Sequence, residues 1–127
     1  NFFYPNSYDM KKDGFSELDK LTQYLKNNSG ICIEIQGHTN GNKRIRGSYK
    51  GNFKGSSKKL SQHRAEIIKK YLIDKGISSD RLNAIGYGGA KMIHLNPKNQ
   101  GQANKNIRVE IHLLPRKANI LTTVNQD

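Results

Sequence analysis

The stretch that decides the fold reads Leu60-Ser61-Gln62-His63-Arg64-Ala65-Glu66-Ile67-Ile68. In and just after it, apolar side chains recur at intervals of three and four residues, at Leu60, Ile67, Ile68, Tyr71 and Leu72. This spacing lines one face of an amphipathic helix. Arg64 lies on the same face, four residues after Leu60 and four before Ile68. The helix therefore directs a guanidinium toward the protein body.

The position of Arg64 leaves two interpretations open, because a charge facing the protein body needs an anion or several hydrogen-bond acceptors. In the first, the aliphatic stem of Arg64 covers the core and its guanidinium reaches water. In the second, the guanidinium binds the carboxylate of a ligand, for which its planar fork of N–H groups is well shaped.

The segments around this helix predict an α+β fold. Residues 31–36 alternate as a strand, residues 82–87 predict another, and residues 107–113 alternate as a half-buried strand. A further short strand is predicted near residues 1–4 and a helix over 14–27, while Gly76 is placed to end the central helix, predicted over 57–75. The economical arrangement is a two-layer sandwich, in which two main helices pack on one face of a mixed four-stranded sheet.

Five motifs follow one another along the chain: I-x-I-x-G-H-T, L-S-x-x-R-A-x-x-I, K-G-I-x-x-x-R-L, G-Y-G and N-x-R-V-E-I. In this order they resemble the OmpA-like peptidoglycan-binding domain (the OmpA/Pal/MotB family), over about residues 2 to 113. The resemblance implies a binding module that holds cell-wall peptidoglycan without a covalent bond. It anchors an outer-membrane or envelope protein to the wall in the periplasm.

The resemblance also implies a ligand site. In the family, an aspartate after the second strand and the helix arginine hold the zwitterionic end of diaminopimelate in the peptide stem. The arginine matches Arg64. The resemblance places the remaining ligand-binding residues at Asn40, Asn6, Thr39, Ser57 and Arg108.

The chain departs from the family pattern at three positions, which are 40, 57 and 107. Asn40 stands where the family has the aspartate, so an amide replaces a charged oxygen. Ser57 replaces an asparagine ahead of the helix motif, and one of two arginines before Val-Glu-Ile is lost, leaving Arg108. Either the site still binds peptidoglycan in an altered way, or the domain has become an adaptor for a partner protein of the envelope.

The charge of the chain is concentrated in one segment. Seven of its 22 basic residues fall between positions 43 and 59, which contain no acidic residue, and the net charge is +12. The basic loop over 41–58 contains four glycines, which predict an inserted, mobile connection. This loop serves solubility, forms a basic lip over the ligand site, or holds the domain on an anionic surface such as lipid headgroups or cell-wall polymer. Nucleic acid is not expected as a partner, because no nucleic-acid fold signature accompanies Tyr49 and Phe53 among the cations.

Other functional classes find little support. The four histidines lie on separate predicted elements, no metal-binding spacing is present, and we expect no catalytic residues, metal or cofactor. No apolar run reaches the roughly 20 residues of a membrane span, so membrane insertion of this domain is not expected. A mean hydropathy of −0.81 agrees with this. We expect one domain over 1–113 and a C-terminal tail over 114–127.

Overall fold

The computed structural model describes residues 2–4, 7, 9–42, 44–46 and 54–116, with the backbone alone at 44–46 and 54. Its elements follow in the order α1 (Lys12–Asn27), β1 (Ile31–His38), β2 (Arg44–Arg46), β3 (Lys54–Ser56), α2 (Ser57–Asp74), β4 (Leu82–Gly88), α3 (Gln100–Asn106) and β5 (Arg108–Pro115). A short 3-10 turn, Ser79–Arg81, leads into β4. Among the described residues, no helix is long and apolar enough to cross a membrane.

The main sheet is mixed, as predicted, but smaller than predicted. Its order is β4-β1-β5, with β1 parallel to β4 and antiparallel to β5. The expected fourth strand near residues 1–4 is wrong for the part of the chain described: Phe3 forms only a single bridge with Met10. The reason lies in the carbonyl groups of this segment. That of Phe2 accepts from the backbone of Lys11, and that of Tyr4 from the guanidinium of Arg64, so neither pairs with a neighbouring strand.

Helices α1 and α2 cover one face of this sheet and share a single core. The sequence periodicities predict the burial of five apolar residues, which are Leu18 and Leu25 of α1, Ile33 of β1, Leu72 of α2 and Val109 of β5. The first four are fully buried, and Val109 packs against them partly buried. The two-layer arrangement inferred from the periodicity is therefore confirmed.

Helix α2 begins and ends with recognisable caps. The hydroxyl of Ser56 accepts a hydrogen bond from the backbone of Lys59, which satisfies one of the free N–H groups of the first turn. At the other end, Gly76 has a φ of 101° and its N–H donates to Ile73, while the N–H of Ile77 donates to Leu72. This pair of bonds is the Schellman motif, so Gly76 ends the helix as predicted.

Two side chains of α2 also fix the edge strand β4. The amide of Gln62 accepts from the N–H of Gly86 at 2.7 Å and donates to the carbonyl of Ala84 at 3.1 Å. The hydroxyl of Ser61 accepts from the N–H of Gly88 at 3.0 Å. These bonds satisfy edge-strand groups that would otherwise be free to pair with another chain.

Three features differ from the sequence-based expectation. The polar loop after β4 contains helix α3. Asn99 caps its start, because its side-chain oxygen accepts a hydrogen bond from the backbone N–H of Gln102. Strand β5 continues through Pro115, two residues past the expected end of the domain at 113. Within the basic loop, β2 pairs with β3 as an antiparallel ribbon. Lys43 and residues 47–53 lie outside the described residues, and the mobility of the loop stays a prediction.

Candidate functional site

Four elements meet at one end of the sheet: the ends of β1 and β4, the start of β5 and the start of α2. The N–H of Thr39 donates to the carbonyl of Gly88 at 2.8 Å, and that of Gly89 donates to the side chain of Asn42 at 2.9 Å. Four of the six predicted site residues belong to this end: Thr39, Asn40, Ser57 and Arg108.

Thr39 and Ser57 hold the turn after β1. Their hydroxyls donate to the same carbonyl oxygen, that of Gly41, at 2.9 and 3.1 Å. Gly41 has a φ of 80°, in the left-handed region that favours glycine. Because the two hydroxyl residues are only 5% and 1% exposed, their place is to shape the turn that carries Asn40.

Asn40 is held by a residue that sequence reasoning used only as part of a motif. The fully buried Asn106, at the end of α3, donates from its Nδ2 to Oδ1 of Asn40 at 2.8 Å. The same Nδ2 donates to the carbonyl of His94 at 2.9 Å, and Oδ1 of Asn106 accepts from the N–H of His94 at 2.8 Å. The N-x-R-V-E-I motif thus supplies a clamp for the loop after β1.

Arg108 follows Asn106 and belongs to the same cluster. Its guanidinium pairs with Glu110 and donates to the carbonyl oxygens of Asn106 at 2.9 Å and Lys91 at 2.8 Å. Hydrogen bonds from Arg108 and then from His112 lower the pKa of the Glu110 carboxyl below its ordinary value. Arg108 therefore joins the loop after β4 to strand β5.

Arg64 makes its described contacts with the N-terminal segment. Its Nε donates to the carbonyl of Ser7 at 2.8 Å, and its Nη2 donates to the carbonyl of Tyr4 at 3.1 Å. The guanidinium carbon lies 5.3 Å from the centre of the Phe3 ring. The helix geometry and the family resemblance predict that Arg64 points to the strand end near Asn40, but its described hydrogen bonds run to the N-terminal segment and none of them reaches Asn40. Ser57 lies seven residues earlier, about 10 Å along the helix at 1.5 Å per residue.

The interpretation in which the Arg64 guanidinium reaches water is wrong. The residue is 4% exposed, and burial lowers the pKa of its guanidinium to about 10, so it remains protonated at neutral pH. None of the ion pairs among the described residues involves Arg64. Asn6, the remaining predicted site residue, lies outside the described residues.

A further group of residues at this end was not predicted. The rings of His38 and Tyr87 stack with centres 5.3 Å apart, and Nζ of Lys91 lies 4.1 Å above the Tyr87 ring. His38 is 2% exposed, and burial followed by the charge of Arg108 lowers the pKa of its imidazole. The sequence predicts a strand over 31–36, so His38 is expected in the loop after it, whereas in the structure it ends β1 and the pairing of β1 with β4 brings it onto Tyr87.

The site offers donors and cations rather than metal ligands. Among the described residues, no three His, Cys, Asp or Glu side chains lie close enough to hold a metal ion. No acidic residue occurs between Glu34 and Glu66, the part of the chain that supplies the loop after β1 and the start of α2. Such an arrangement can bind a carboxylate or another anionic or acceptor group.

Comparison with known sequences gives relatives for most of the chain. The peptidoglycan-associated lipoprotein of Buchnera aphidicola subsp. Baizongia pistaciae is 31% identical over 105 residues, which cover 82% of this chain and 56% of that protein. Outer membrane porin F of Pseudomonas aeruginosa is 23% identical over 104 residues, or 80% of this chain and 27% of the porin. The chain thus spans little more than half of the first relative and about a quarter of the second.

Solved structures share the fold. A MotB-like protein from Desulfovibrio vulgaris superposes with a TM-score of 0.77 at 24% identity, covering 91% of this chain and 70% of that one. The peptidoglycan-associated lipoprotein from Burkholderia pseudomallei superposes with a TM-score of 0.69 at 25% identity, covering 89% and 87% of the two chains. The model of the OmpA family matches residues 2–106, which contain both main helices, strands β1 and β4 and five of the six predicted site residues, and the chain belongs to that family.

Proposed function

We propose that this domain binds peptidoglycan without a covalent bond, through a carboxylate of the diaminopimelate stem peptide, and so anchors an envelope protein to the wall. One observation carries the proposal: Arg64 is a buried, protonated guanidinium with no carboxylate partner among the described residues. A buried charge without a counter-ion is costly, and a ligand carboxylate would offset that cost.

The backbone contacts of Arg64 support a binding role as well as a structural one. The carbonyls of Ser7 and Tyr4 engage Nε and one N–H of Nη2, which fixes the plane of the guanidinium. A guanidinium carries five N–H groups, so donors remain in a fixed direction. A fixed fork binds a carboxylate with less loss of conformational freedom than a mobile lysine.

The relatives support the choice of ligand. Two of the similar proteins are named peptidoglycan-associated lipoproteins, and both cover more than four fifths of this chain. From these names we infer that this domain lies in the periplasm, as part of an outer-membrane or envelope-associated protein. We also infer that its role is binding rather than catalysis.

The experiment is calorimetric titration of the domain with a soluble stem peptide ending in diaminopimelate, alongside sedimentation with purified sacculi across a salt series. Arg64→Lys keeps the charge but loses the planar fork, and should weaken binding by about 1 to 3 kcal/mol.

Arg81→Lys is the matched control. Arg81 is also buried and also donates to backbone carbonyls, among them that of Ile31 at the opposite end of β1. The proposal requires that Arg64→Lys lowers affinity while Arg81→Lys leaves it at the parent value. Equal affinities of the parent and Arg64→Lys, or sacculus binding that disappears with salt and ignores free diaminopimelate, would contradict it.

A further inference from the structure

The orientation of the Asn40 side-chain amide determines what this residue can bind. The hydrogen bonds of Asn106 and His94 permit only one orientation. Asn106 faces the main chain of His94 with both ends of its amide. The N–H of His94 can only donate, so it meets the oxygen of Asn106, and the carbonyl of His94 can only accept, so it meets Nδ2. The amide of Asn106 is therefore fixed with its nitrogen toward Asn40.

Asn40 must therefore direct its acceptor oxygen toward this donor. Its Oδ1 lies 2.8 Å from Nδ2 of Asn106, and the opposite orientation would set two N–H groups against each other. The half-buried Asn40 consequently turns its own NH₂ group away from the clamp, where no described residue accepts from it. The side chain of Asn40 thus presents a hydrogen-bond donor to a ligand, while its acceptor oxygen is already bonded to Asn106.

The surroundings of Asn40 contain no free carboxylate among the described residues. Glu110 is engaged through both oxygens, with Oε2 on Arg108 and Oε1 on His112. Cations surround the same end: besides Arg108, Lys91 lies over the ring of Tyr87, and Lys58 lies beside Gly88. An ammonium placed here would meet an N–H donor and like charges.

Taking the proposed function as its basis, we propose that the Asn40 end of the site accepts a hydrogen-bond acceptor rather than an ammonium. The domain then selects stem peptides in which the side-chain amine of the diamino acid is acylated, as it is in a cross-link. Acylation removes the positive charge and supplies a carbonyl oxygen for the NH₂ of Asn40. Asn40 and Asn106 together set this specificity, the first by contact and the second by position.

The test uses two probes, a stem tripeptide ending in diaminopimelate with a free side-chain amine and the same peptide N-acetylated at that amine. Calorimetric titration of the parent should give tighter binding of the acetylated peptide, by about fivefold, the scale of one neutral hydrogen bond. In Asn40→Asp the order should reverse, because a carboxylate still accepts from Asn106 and its second oxygen favours the ammonium. A thermal melt confirms that this variant is folded.

Asn106→Ala tests the positioning role, since without the clamp the amide of Asn40 can turn over. The ratio of the two affinities should fall to about one, a change that lost stability alone would not produce. If Asn106→Ala does not fold, the comparison of the parent with Asn40→Asp decides.

The outcomes separate this inference from the proposed function. A parent that binds both peptides equally, or prefers the free amine, overturns the specificity while leaving stem-peptide binding in place. A parent and an Asn40→Asp variant that bind neither peptide overturn the proposed function and this inference with it.

Discussion

Gly37 lies directly against the main chain of Ser61, so close that a Cβ on Gly37 would stand 2.2 Å from the carbonyl oxygen of Ser61. This contact brings the end of β1 against the first turns of α2. Gly86 of the neighbouring strand meets the backbone of Gln62 in the same way, at 2.3 Å. The two glycines seat the helix that carries Arg64 on the sheet, because any side chain there would lift it away.

We expect Gly37→Ala to lower the free energy of unfolding by about 2 to 3 kcal/mol, since the clash is with backbone atoms that cannot rotate away. Gly30→Ala is the control: a Cβ there has nothing within 4 Å, so its stability should stay within about 1 kcal/mol of the parent. Urea denaturation of the three proteins makes the comparison. Equal stability of Gly37→Ala and the parent would show that the helix can move off the sheet without cost.

The second prediction concerns Arg81 and its contribution to stability alone. Its guanidinium donates to the carbonyls of Leu25, Asn28 and Ile31 at 2.7 to 2.9 Å, which ties the end of α1 to the start of β1. Arg81→Met should lower the free energy of unfolding by about 2 to 4 kcal/mol, because three carbonyls lose a charged donor together. Urea denaturation measures this loss. A change below 1 kcal/mol would mean that water replaces the guanidinium freely.

The sequence predicts the helices and the parallel and antiparallel strands well where apolar periodicity is strong. The inner face of α2, the alternation of β1 and the cap at Gly76 all correspond to the structure within a few residues. These features are local, and burial of one face is enough to specify them.

The candidate site could be predicted only in its residue types. The direction of Arg64 depends on the carbonyls of Tyr4 and Ser7, nearly sixty residues earlier in the chain, and no pattern in the sequence of α2 reveals them. Helix α3 has seven residues and lacks an apolar stripe, so the capping residue Asn99 is the one feature of the sequence that indicates a helix there. The clamp of Asn106 on Asn40 joins residues 66 apart and follows from the tertiary fold.

A third prediction separates binding from stability by comparing the two buried arginines. Arg64→Met removes a buried charge that has no described counter-ion, and an apolar side chain of similar length can fill its place beside Phe3. We expect its free energy of unfolding to stay within about 2 kcal/mol of the parent, while stem-peptide affinity falls by about 2 kcal/mol or more.

Arg81→Met should give the opposite result, with a large loss of stability and no change in affinity for the folded protein. Titration calorimetry below the melting temperature, paired with urea denaturation, measures both quantities for each variant. If Arg64→Met keeps the parent affinity, Arg64 is a purely structural residue.

The fourth prediction concerns the buried imidazole of His38. Nε2 of His38 lies 3.0 Å from Oε1 of Gln36, and the NH₂ of Gln36 donates to Glu34, so Nε2 carries the proton. Nδ1 is buried and has no hydrogen-bond partner among the described residues. Protonation of Nδ1 would place an unsatisfied charged donor beside Arg108, which agrees with the lowered pKa of His38.

Because the folded-state pKa of His38 lies below the ordinary value of 6.5, folding excludes a proton that the unfolded chain binds. The stabilisation is complete above pH 6.5 and is lost as the pH falls from there toward the folded pKa. Between pH 7.5 and 5.5 we expect His38 to account for up to about 1.4 kcal/mol of lost stability, one pH unit of linkage.

Urea denaturation at both pH values should show a smaller loss of stability in His38→Gln than in the parent. The other histidines are common to both proteins, and Glu110, whose pKa is lowered, stays ionised in this range. Equal losses in the parent and in His38→Gln would show that the imidazole takes up its proton in the folded state without cost.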